Sequence, residues 1–103
     1  MSFFEPISGA DFDAKLEKAR QTQGAVIVDV RSAEERAAGY IPGTVHVPLA
    51  EIATLEADKD TPLFLYSRSG QQSVSGCKFL EELGFTHVTN LGGVVDYKGP
   101  MEK

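Results

Sequence analysis

The chain has 103 residues, of which 42% are hydrophobic and 24% charged, so it is long enough for one domain with a single core. Ten basic and fifteen acidic residues give a formal net charge of −5. Because there is neither a basic run nor arginine interleaved with aromatic residues, we expect no nucleic-acid partner. No apolar stretch reaches the roughly 18 residues of a membrane span, so we expect no membrane partner.

The cellular compartment is predicted from the N-terminus and the cysteine count. Residues 1–6 have neither a positively charged nor an apolar region, so we expect no signal peptide. The single cysteine, Cys77, cannot form an internal disulfide, which is typical of a reducing compartment. We therefore predict a cytoplasmic protein. The few His, Cys and acidic residues lack ligand spacing, so neither a metal nor another cofactor is implied.

The first third of the chain predicts a strand, a helix and a second strand. Residues 3–7 suit a short edge strand, and Ser8 with Asp11 resembles a capping box. The helix that follows has an apolar face consisting of Phe12, Leu16 and Ala19. The run 25–28 is β-branched without alternation, which is typical of a strand covered on both faces.

The middle of the chain is built from shorter elements. Ser32 and Glu35 form a second capping box, and Gly39 closes the helix that they start. Residues 41–44 predict a turn, and 45–47 a short strand that Pro48 stops. Residues 49–55 have helical spacing, and 58–62 predict a surface loop.

The last part contains the stretch on which the functional argument depends. An apolar, aromatic-rich strand begins at Leu63, and the small-residue loop 67–72 follows. Ser73 is the predicted N-cap of a helix that reaches about Leu83. The predicted apolar stripe of this helix is Gly76, Phe79, Leu80 and Leu83. Residues 87–89 predict a last strand, and 91–97 a glycine-rich turn.

Strands that alternate with helices predict an α/β fold, with a mostly parallel sheet of about five strands and helices on both faces. We expect residues 1–103 to form a single domain. In such sheets, ligands bind beyond the carboxyl ends of the strands, where the loop 67–72 lies. A loop between a strand and a helix N-terminus gathers backbone N–H groups, which favours an anion or an anionic side chain.

Three segments, in the right order and spacing, resemble a rhodanese-like domain of the single-domain thiosulfate sulfurtransferase family. The first comprises Asp29-Val30-Arg31, Glu35, residues 39–44 and Pro48. The second, residues 65–73, is similar to the family's Tyr-Cys-Arg-Ser-Gly-x-Arg-Ser active loop. The third comprises Gly84-Phe85, Val88 and Leu91-Gly92-Gly93. The resemblance covers about residues 26–97 and implies the three-layer rhodanese sandwich.

The resemblance implies transfer of sulfur from thiosulfate or a persulfide donor, through an enzyme cysteine, to cyanide or another thiol. Ser67 stands where the family has that nucleophilic cysteine. Three further departures are Gln72 for arginine, Tyr40 for histidine and Tyr97 for the aromatic residue, commonly tryptophan, after Gly-Gly. The loop has sulfurtransferase length, because the arginine that a phosphatase loop requires would fall at Ser73.

Serine at the nucleophile position gives two interpretations. A serine hydroxyl stays protonated near neutral pH and cannot carry a persulfide, whereas the family route needs a thiolate. The chain is then a sulfurtransferase inactivated at Ser67, by nature or by design. Alternatively, it is a naturally non-catalytic module that binds an anion, a persulfide or a protein.

The resemblance and the loop pattern together assign site residues. Ser67 holds the catalytic position, and the expected anion-binding loop is Arg68, Ser69, Gly70, Gln71, Gln72 and Ser73. Asp29 and Arg31 are expected to brace neighbouring loops rather than do chemistry.

Two other chemistries are disfavoured by the sequence. A triad at Ser67 would need His46 or His87, and neither lies in a hydrolase motif. Cys77 follows Ser73 by about one helical turn, but it sits at the margin of an apolar stripe, which favours packing over reactivity.

Overall fold

The structure, a computed structural model, describes the backbone of residues 9–103 and the side chains from residue 11 onward. The edge strand predicted at residues 3–7 and the cap predicted at Ser8 lie outside the described residues. The helices are α1 (Gly9–Gln21), α2 (Ala33–Ala38) and α3 (Gln71–Glu82), with 3-10 helices at Leu49–Thr54 and Val94–Asp96. The strands are β1 (Val26–Asp29), β2 (Val45–His46), β3 (Leu63–Ser67) and β4 (Val88–Gly93). No helix in residues 9–103 is both long and apolar enough to cross a membrane.

Within residues 9–103 the four strands form one parallel sheet in the order β2-β1-β3-β4. Val28 of β1 lies between Val45 of β2 and Leu65 of β3. Because all strands run the same way, their carboxyl ends share one edge of the sheet. The loop that follows Ser67 lies at this edge, where open parallel sheets bind ligands.

Helices cover both faces of the sheet, because successive strand residues point to opposite sides. The cluster on the α1 side comprises Phe12, Leu16, Ala19, Ile27, Ile41, Phe64, Tyr66 and Leu91. The cluster on the side of α3 and the first 3-10 helix comprises Val28, Val30, Ile52, Leu63, Leu65, Cys77, Leu80 and Phe85. The predicted parallel sheet between two helical layers is therefore confirmed. The described residues supply four strands rather than about five, since the fifth was predicted at residues 3–7.

The capping box that starts α2 is formed as predicted. Ser32 Oγ accepts a hydrogen bond from Glu35 N (3.2 Å), and Glu35 Oε1 accepts one from Ser32 N (3.1 Å). The two bonds satisfy donors that would otherwise be free at the helix start. The helix therefore begins directly beyond the carboxyl end of β1.

The start and the buried face of α3 differ from the prediction. The N-cap is Gly70, in the left-handed conformation (φ +94°), and Ser73 lies inside the helix. The buried residues of the helix are Ser73, Gly76, Cys77 and Leu80. Phe79 and Leu83 are 40% and 41% exposed. At about 100° per residue, Phe79 points well away from the centre of that stripe, and Leu83 already follows the last helical residue.

The segment predicted as a glycine-rich turn is also different. Residues 91–93 belong to β4, and the chain leaves the sheet after Gly93 in the 3-10 helix Val94–Asp96. The pairing shifts here, since Leu65 pairs with Asn90 whereas Tyr66 pairs with Gly92. The irregularity allows β4 to continue beside β3 through two glycines, which local sequence preference alone places in a turn.

Candidate active site

The loop after β3 closes around one side-chain atom, the Oγ of Ser67. This oxygen accepts hydrogen bonds from the backbone N–H of Gly70 (3.0 Å) and of Ser73 (3.2 Å). It also lies 3.1 Å from Ser73 Oγ. Only 1% of the surface of Ser67 is exposed. The side chain at position 67 thus lies buried at the base of the loop, with two backbone N–H groups donating to it.

Further backbone amides of the loop remain available to a ligand. Within the described part of the chain, these amides find no acceptor: Arg68, Ser69, Gln71 and Gln72. Gln71 and Gln72 open α3, where an N–H group has no intrahelical partner and the helix dipole is positive. The Arg68 side chain is exposed and forms no ion pair with any described residue. The loop therefore offers amides, a helix N-terminus and one cation to an anion.

Two glycines of β4, Gly92 and Gly93, form the surface on which the backbone of this loop packs. A Cβ on Gly93 would lie 2.7 Å from Arg68 O and 2.7 Å from Ser69 C, closer than side-chain carbons approach backbone atoms. A Cβ on Gly70 would lie 3.1 Å from Gly92 C, and Gly70 also has φ +94°. Arg68 O accepts a hydrogen bond from Val95 N (3.2 Å). The path of the loop thus requires glycine at these positions.

Asn90 of β4 joins the loop to the sheet, and the sequence analysis did not identify it. Its Oδ1 accepts hydrogen bonds from Ser73 Oγ (2.6 Å) and from Gly92 N (3.0 Å), and its Nδ2 donates one to Gly70 O (3.3 Å). These partners lie 2 to 20 positions away in the chain. A Thr-Asn-Leu segment in a strand carries no local pattern that predicts them.

Asp29 is the centre of a second, buried network beside the loop. Its carboxylate accepts hydrogen bonds from the guanidinium of Arg31 (2.8 Å to Nη2) and from the hydroxyl of Tyr66 (2.9 Å). Arg36 contacts the same carboxylate at 3.4 Å, and Arg31 also donates to Gly39 O (2.7 Å). Complete burial acts to raise the pKa of Asp29, but the hydrogen bonds and charge of Arg31 outweigh it and lower that pKa. The network joins the end of β1 to the segment after α2.

Within the described residues, none of the remaining candidate groups hydrogen-bonds to Ser67. His46 Nε2 is 2.8 Å from Arg31 O, and His87 Nδ1 is 2.9 Å from Thr86 Oγ1. Since His87 directly precedes β4, it lies at the opposite edge of the parallel sheet from the loop. Burial, with a smaller effect from Glu81, raises the pKa of Cys77 to about 12, so this thiol is not ionised near neutral pH.

Besides Ser67, the chain departs from the family pattern at Gln72, Tyr40 and Tyr97, and these three residues lie in different surroundings. The Gln72 side chain is exposed at the loop. Tyr40 instead stacks under the Arg36 guanidinium (4.0 Å), and Tyr97 packs on Phe12 with ring centroids 5.9 Å apart. The two tyrosines therefore have packing partners of their own.

Comparison with known proteins identifies the family of the chain. The profile of the rhodanese-like domain matches residues 12–99. The chain belongs to the rhodanese-like domain family. A putative sulfurtransferase of Bacillus subtilis, YtwF, is 38% identical over 88 residues, which cover 84% of this chain and 85% of that protein. The thiosulfate sulfurtransferase PspE of Escherichia coli is 36% identical over 80 residues, covering 74% of this chain and 77% of that protein.

A solved rhodanese shares the fold. The structure described as a rhodanese with anions from E. coli superposes with a TM-score of 0.70 at 34% identity, covering 77% of this chain and 98% of that one. The rhodanese-like resemblance and the α/β fold predicted from the sequence are thus confirmed.

The buried Asp29 network predicts a pH-dependent loss of stability. Asp29→Asn should lower the free energy of unfolding by about 3 kcal/mol at pH 7, because Arg31 is left buried without its counter-charge. Since the folded pKa of Asp29 lies below its ordinary value of 3.8, the ionised carboxylate stabilises the fold above pH 3.8. That contribution is lost as the pH falls through the folded pKa.

Urea unfolding of the parent and of Asp29→Asn, from pH 7 to pH 2.5, measures this effect. The difference should be largest at neutral pH and should shrink below pH 3.8. The exposed Asp60→Asn variant is the matched control, and we expect it to remain within about 0.5 kcal/mol of the parent. Equal stability of parent and Asp29→Asn at pH 7 would contradict the role of the network.

The close contact between Gly93 and the loop backbone predicts a local rearrangement in Gly93→Ala. The added methyl group meets backbone atoms of the loop, which must move, at a cost of about 1–3 kcal/mol. The amide NMR signals of residues 68–73 should shift more than those of the rest of the chain. Val95→Ala is the control, because Val95 is 64% exposed in the same segment. If the loop signals are as unperturbed in Gly93→Ala as in the control, the close packing is wrong.

Proposed function

We propose that this chain has a rhodanese-type sulfurtransferase site whose nucleophile position is occupied by Ser67, and that it does not transfer sulfur as it stands. The observation that carries the proposal is the convergence of the Gly70 and Ser73 N–H groups on the Oγ of Ser67. Donors placed in this way stabilise an anionic sulfur at position 67, whereas the side chain present is a neutral hydroxyl.

The surroundings of Ser67 offer no route to an activated serine. A serine nucleophile needs a base that removes its proton, usually a histidine held by a carboxylate. In the described part of the chain, the groups that contact the Ser67 hydroxyl are Ser73 Oγ and two backbone amides. None of these is a base at neutral pH, and an oxygen cannot carry a persulfide in place of sulfur.

The substrate class that we infer is a small sulfur-containing anion, thiosulfate or a persulfide, with a thiol or cyanide as acceptor. The free loop amides and Arg68 suit the charged end of such a donor. Two observations on other proteins support this class: PspE is named a thiosulfate sulfurtransferase, and the solved E. coli rhodanese is described with anions. We place this chemistry in the cytoplasm, on the ground of the unpaired Cys77.

The second candidate is a rhodanese-like module that binds an anion or a protein without chemistry. One observation favours it: the Ser67 hydroxyl fits the loop with all its contacts satisfied, while the amides around the rim stay free. Binding at the rim would not depend on the nucleophile. The two candidates differ in what the substitution Ser67→Cys does.

The first proposal predicts that Ser67→Cys restores sulfur transfer. The parent should show only background thiosulfate:cyanide activity, and the variant should exceed it by orders of magnitude, because the loop that stabilises a thiolate is already formed. Thiocyanate formation measures the rate.

The control uses the second thiol. Cys77→Ala in the Ser67→Cys background should leave the rate unchanged, since Cys77 is buried in the core. Robust turnover by the unmodified chain that disappears in Cys77→Ala would make Cys77 the sulfur carrier. An inactive but folded Ser67→Cys protein would favour the binding module.

The loop should bind small oxyanions even in the unmodified chain. Affinity should be weak, because Arg68 is the one cation of the loop and the net charge is −5. Sulfate or thiosulfate at about ten times its Kd should raise the free energy of unfolding by about 1.4 kcal/mol. Calorimetry and an NMR titration of the loop amides measure the two effects.

General salting-out also stabilises proteins in sulfate, so two variants are compared. Arg68→Ala should reduce the stabilisation, whereas Lys78→Ala, which removes an exposed cation on α3, should retain it. If both variants respond like the parent and no loop amide shifts, the loop is not an anion site.

A further inference from the structure

The orientation of the Asn90 side-chain amide is fixed by two backbone groups that cannot exchange roles. Gly92 N can only donate, and it lies 3.0 Å from Asn90 Oδ1. Gly70 O can only accept, and it lies 3.3 Å from Asn90 Nδ2. Rotating the amide by 180° would place donor against donor and acceptor against acceptor. The oxygen of Asn90 therefore faces α3.

This orientation determines where the single hydroxyl proton of Ser73 goes. Ser73 Oγ lies 2.6 Å from Asn90 Oδ1, which has no proton to give, so Ser73 is the donor. The other acceptor within reach, Gly70 O at 3.0 Å, already receives hydrogen bonds from Val74 N (3.1 Å) and from Asn90 Nδ2. The Ser73 proton is thereby committed to Asn90.

The direction of the next hydrogen bond follows. Ser73 Oγ is 3.1 Å from Ser67 Oγ, and its proton points elsewhere, so Ser73 presents a lone pair to position 67. We propose that Asn90 is a positioning residue of the sulfurtransferase site, which holds the Ser73 hydroxyl as an acceptor toward residue 67 and keeps a proton on the nucleophile. The proposal rests on the function proposed above.

The consequence concerns a cysteine at position 67. Its thiol would donate to Ser73 Oγ, and its thiolate would receive the amide hydrogen bonds of Gly70 and Ser73 but none from the Ser73 hydroxyl. Asn90 thus raises the thiol pKa above the value that the loop would otherwise give it. Resting enzyme would be less exposed to oxidants, since thiolates oxidise more readily than thiols.

No nearby titratable side chain in the described part of the chain is hydrogen-bonded in a way that would itself set the thiol pKa at position 67. In the described residues, no ionisable group on the surrounding elements bonds to the side chain of Ser67, Ser73 or Asn90. The ionisable groups on these elements include Asp29 and Arg31 at the end of β1, His46 on β2, Tyr66 on β3, Arg68 in the loop, Cys77 and Glu81 on α3, and Asp96 beyond β4.

A double-mutant cycle on the thiol pKa tests the proposal. The background is the full chain with Ser67→Cys and Cys77→Ala, and thiolate ultraviolet absorbance is followed against pH. Asn90→Ala releases the Ser73 hydroxyl and also removes one donor from Gly70 O. The hydroxyl can then donate to the thiolate, which as an anion is a stronger acceptor than the Gly70 carbonyl, so the pKa of the thiol should fall by about one unit. In the presence of Ser73→Ala, the same Asn90→Ala change should have no effect on the pKa.

Two controls separate positioning from general destabilisation. Thr89→Ala alters the adjacent residue of β4, which has no side-chain hydrogen bond to another described residue, and should leave the thiol pKa unchanged. Ser73→Ala alone should leave the pKa unchanged or lower it slightly, because the thiol loses an acceptor. If Ser73→Ala raises the pKa by about one unit, Ser73 donates to the thiolate and the proposal is wrong.

Each remaining outcome is decisive as well. An Asn90→Ala shift that persists in the Ser73→Ala background, or a rise in pKa, shows a structural role and overturns the proposal. Should Asn90→Ala fail to fold, Ser73→Ala decides by the direction of its shift. Because the pKa needs no turnover, an inactive Ser67→Cys protein with the expected shifts would refute the proposed function and support this inference. An active Ser67→Cys protein without the expected pKa shifts would support the proposed function and refute this inference.

Discussion

The contact between the loop and the backbone of β4 is the constraint on which the candidate site depends. Gly93 allows the carbonyl of Arg68 and the backbone of Ser69 to approach where a side chain would stand. From that position the chain turns through Gly70 into α3, and the amides of Gly70 and Ser73 come to point at one atom. In a displaced loop these amides would not converge, so the candidate anion site depends on Gly93, a residue that contributes no functional group.

The electrostatics of the site come from the backbone and from one exposed cation. Nearby, the guanidinium groups of Arg31 and Arg36 both pair with the carboxylate of Asp29. These interactions hold the segment after β1 in place, and the described hydrogen-bond partners of the two guanidinium groups are Asp29, Gly39 and Thr44 rather than the loop. In this arrangement ion pairs brace the framework, while the amides and the helix N-terminus of the loop form the candidate anion site. A chain with a net negative charge can therefore still offer a local candidate site for an anion.

The sequence predicted the elements whose signals are local. The Ser32–Glu35 capping box and the apolar run of β3 each depend on a few neighbouring residues, and both formed as predicted. Ser73 was misassigned as an N-cap because serine is a good cap, whereas Gly70 caps α3 by its left-handed backbone against β4. The loop was located from the order of strand, small residues and helix at the carboxyl edge of the sheet, and the family resemblance added its expected chemistry. Asn90 escaped notice because its partners are joined to it only by the fold.

A serine at position 67 is a better hydrogen-bond partner for the loop amides than a neutral cysteine would be. This difference affects what a site of this kind loses and keeps when its cysteine is replaced. The Gly70 and Ser73 amides need an acceptor in a buried place, and a hydroxyl oxygen accepts hydrogen bonds more strongly than a thiol sulfur. Each such bond is worth about 1 kcal/mol, so the serine loop is stable with no ligand and no ionisation. With cysteine at position 67, the two amides would be hydrogen-bonded comparably well only if the side chain were a thiolate, because its charge strengthens both N–H hydrogen bonds. Under the function proposed above, replacing cysteine by serine would therefore remove the nucleophile while strengthening the hydrogen bonds around position 67, so that the fold would be kept when the reaction is lost.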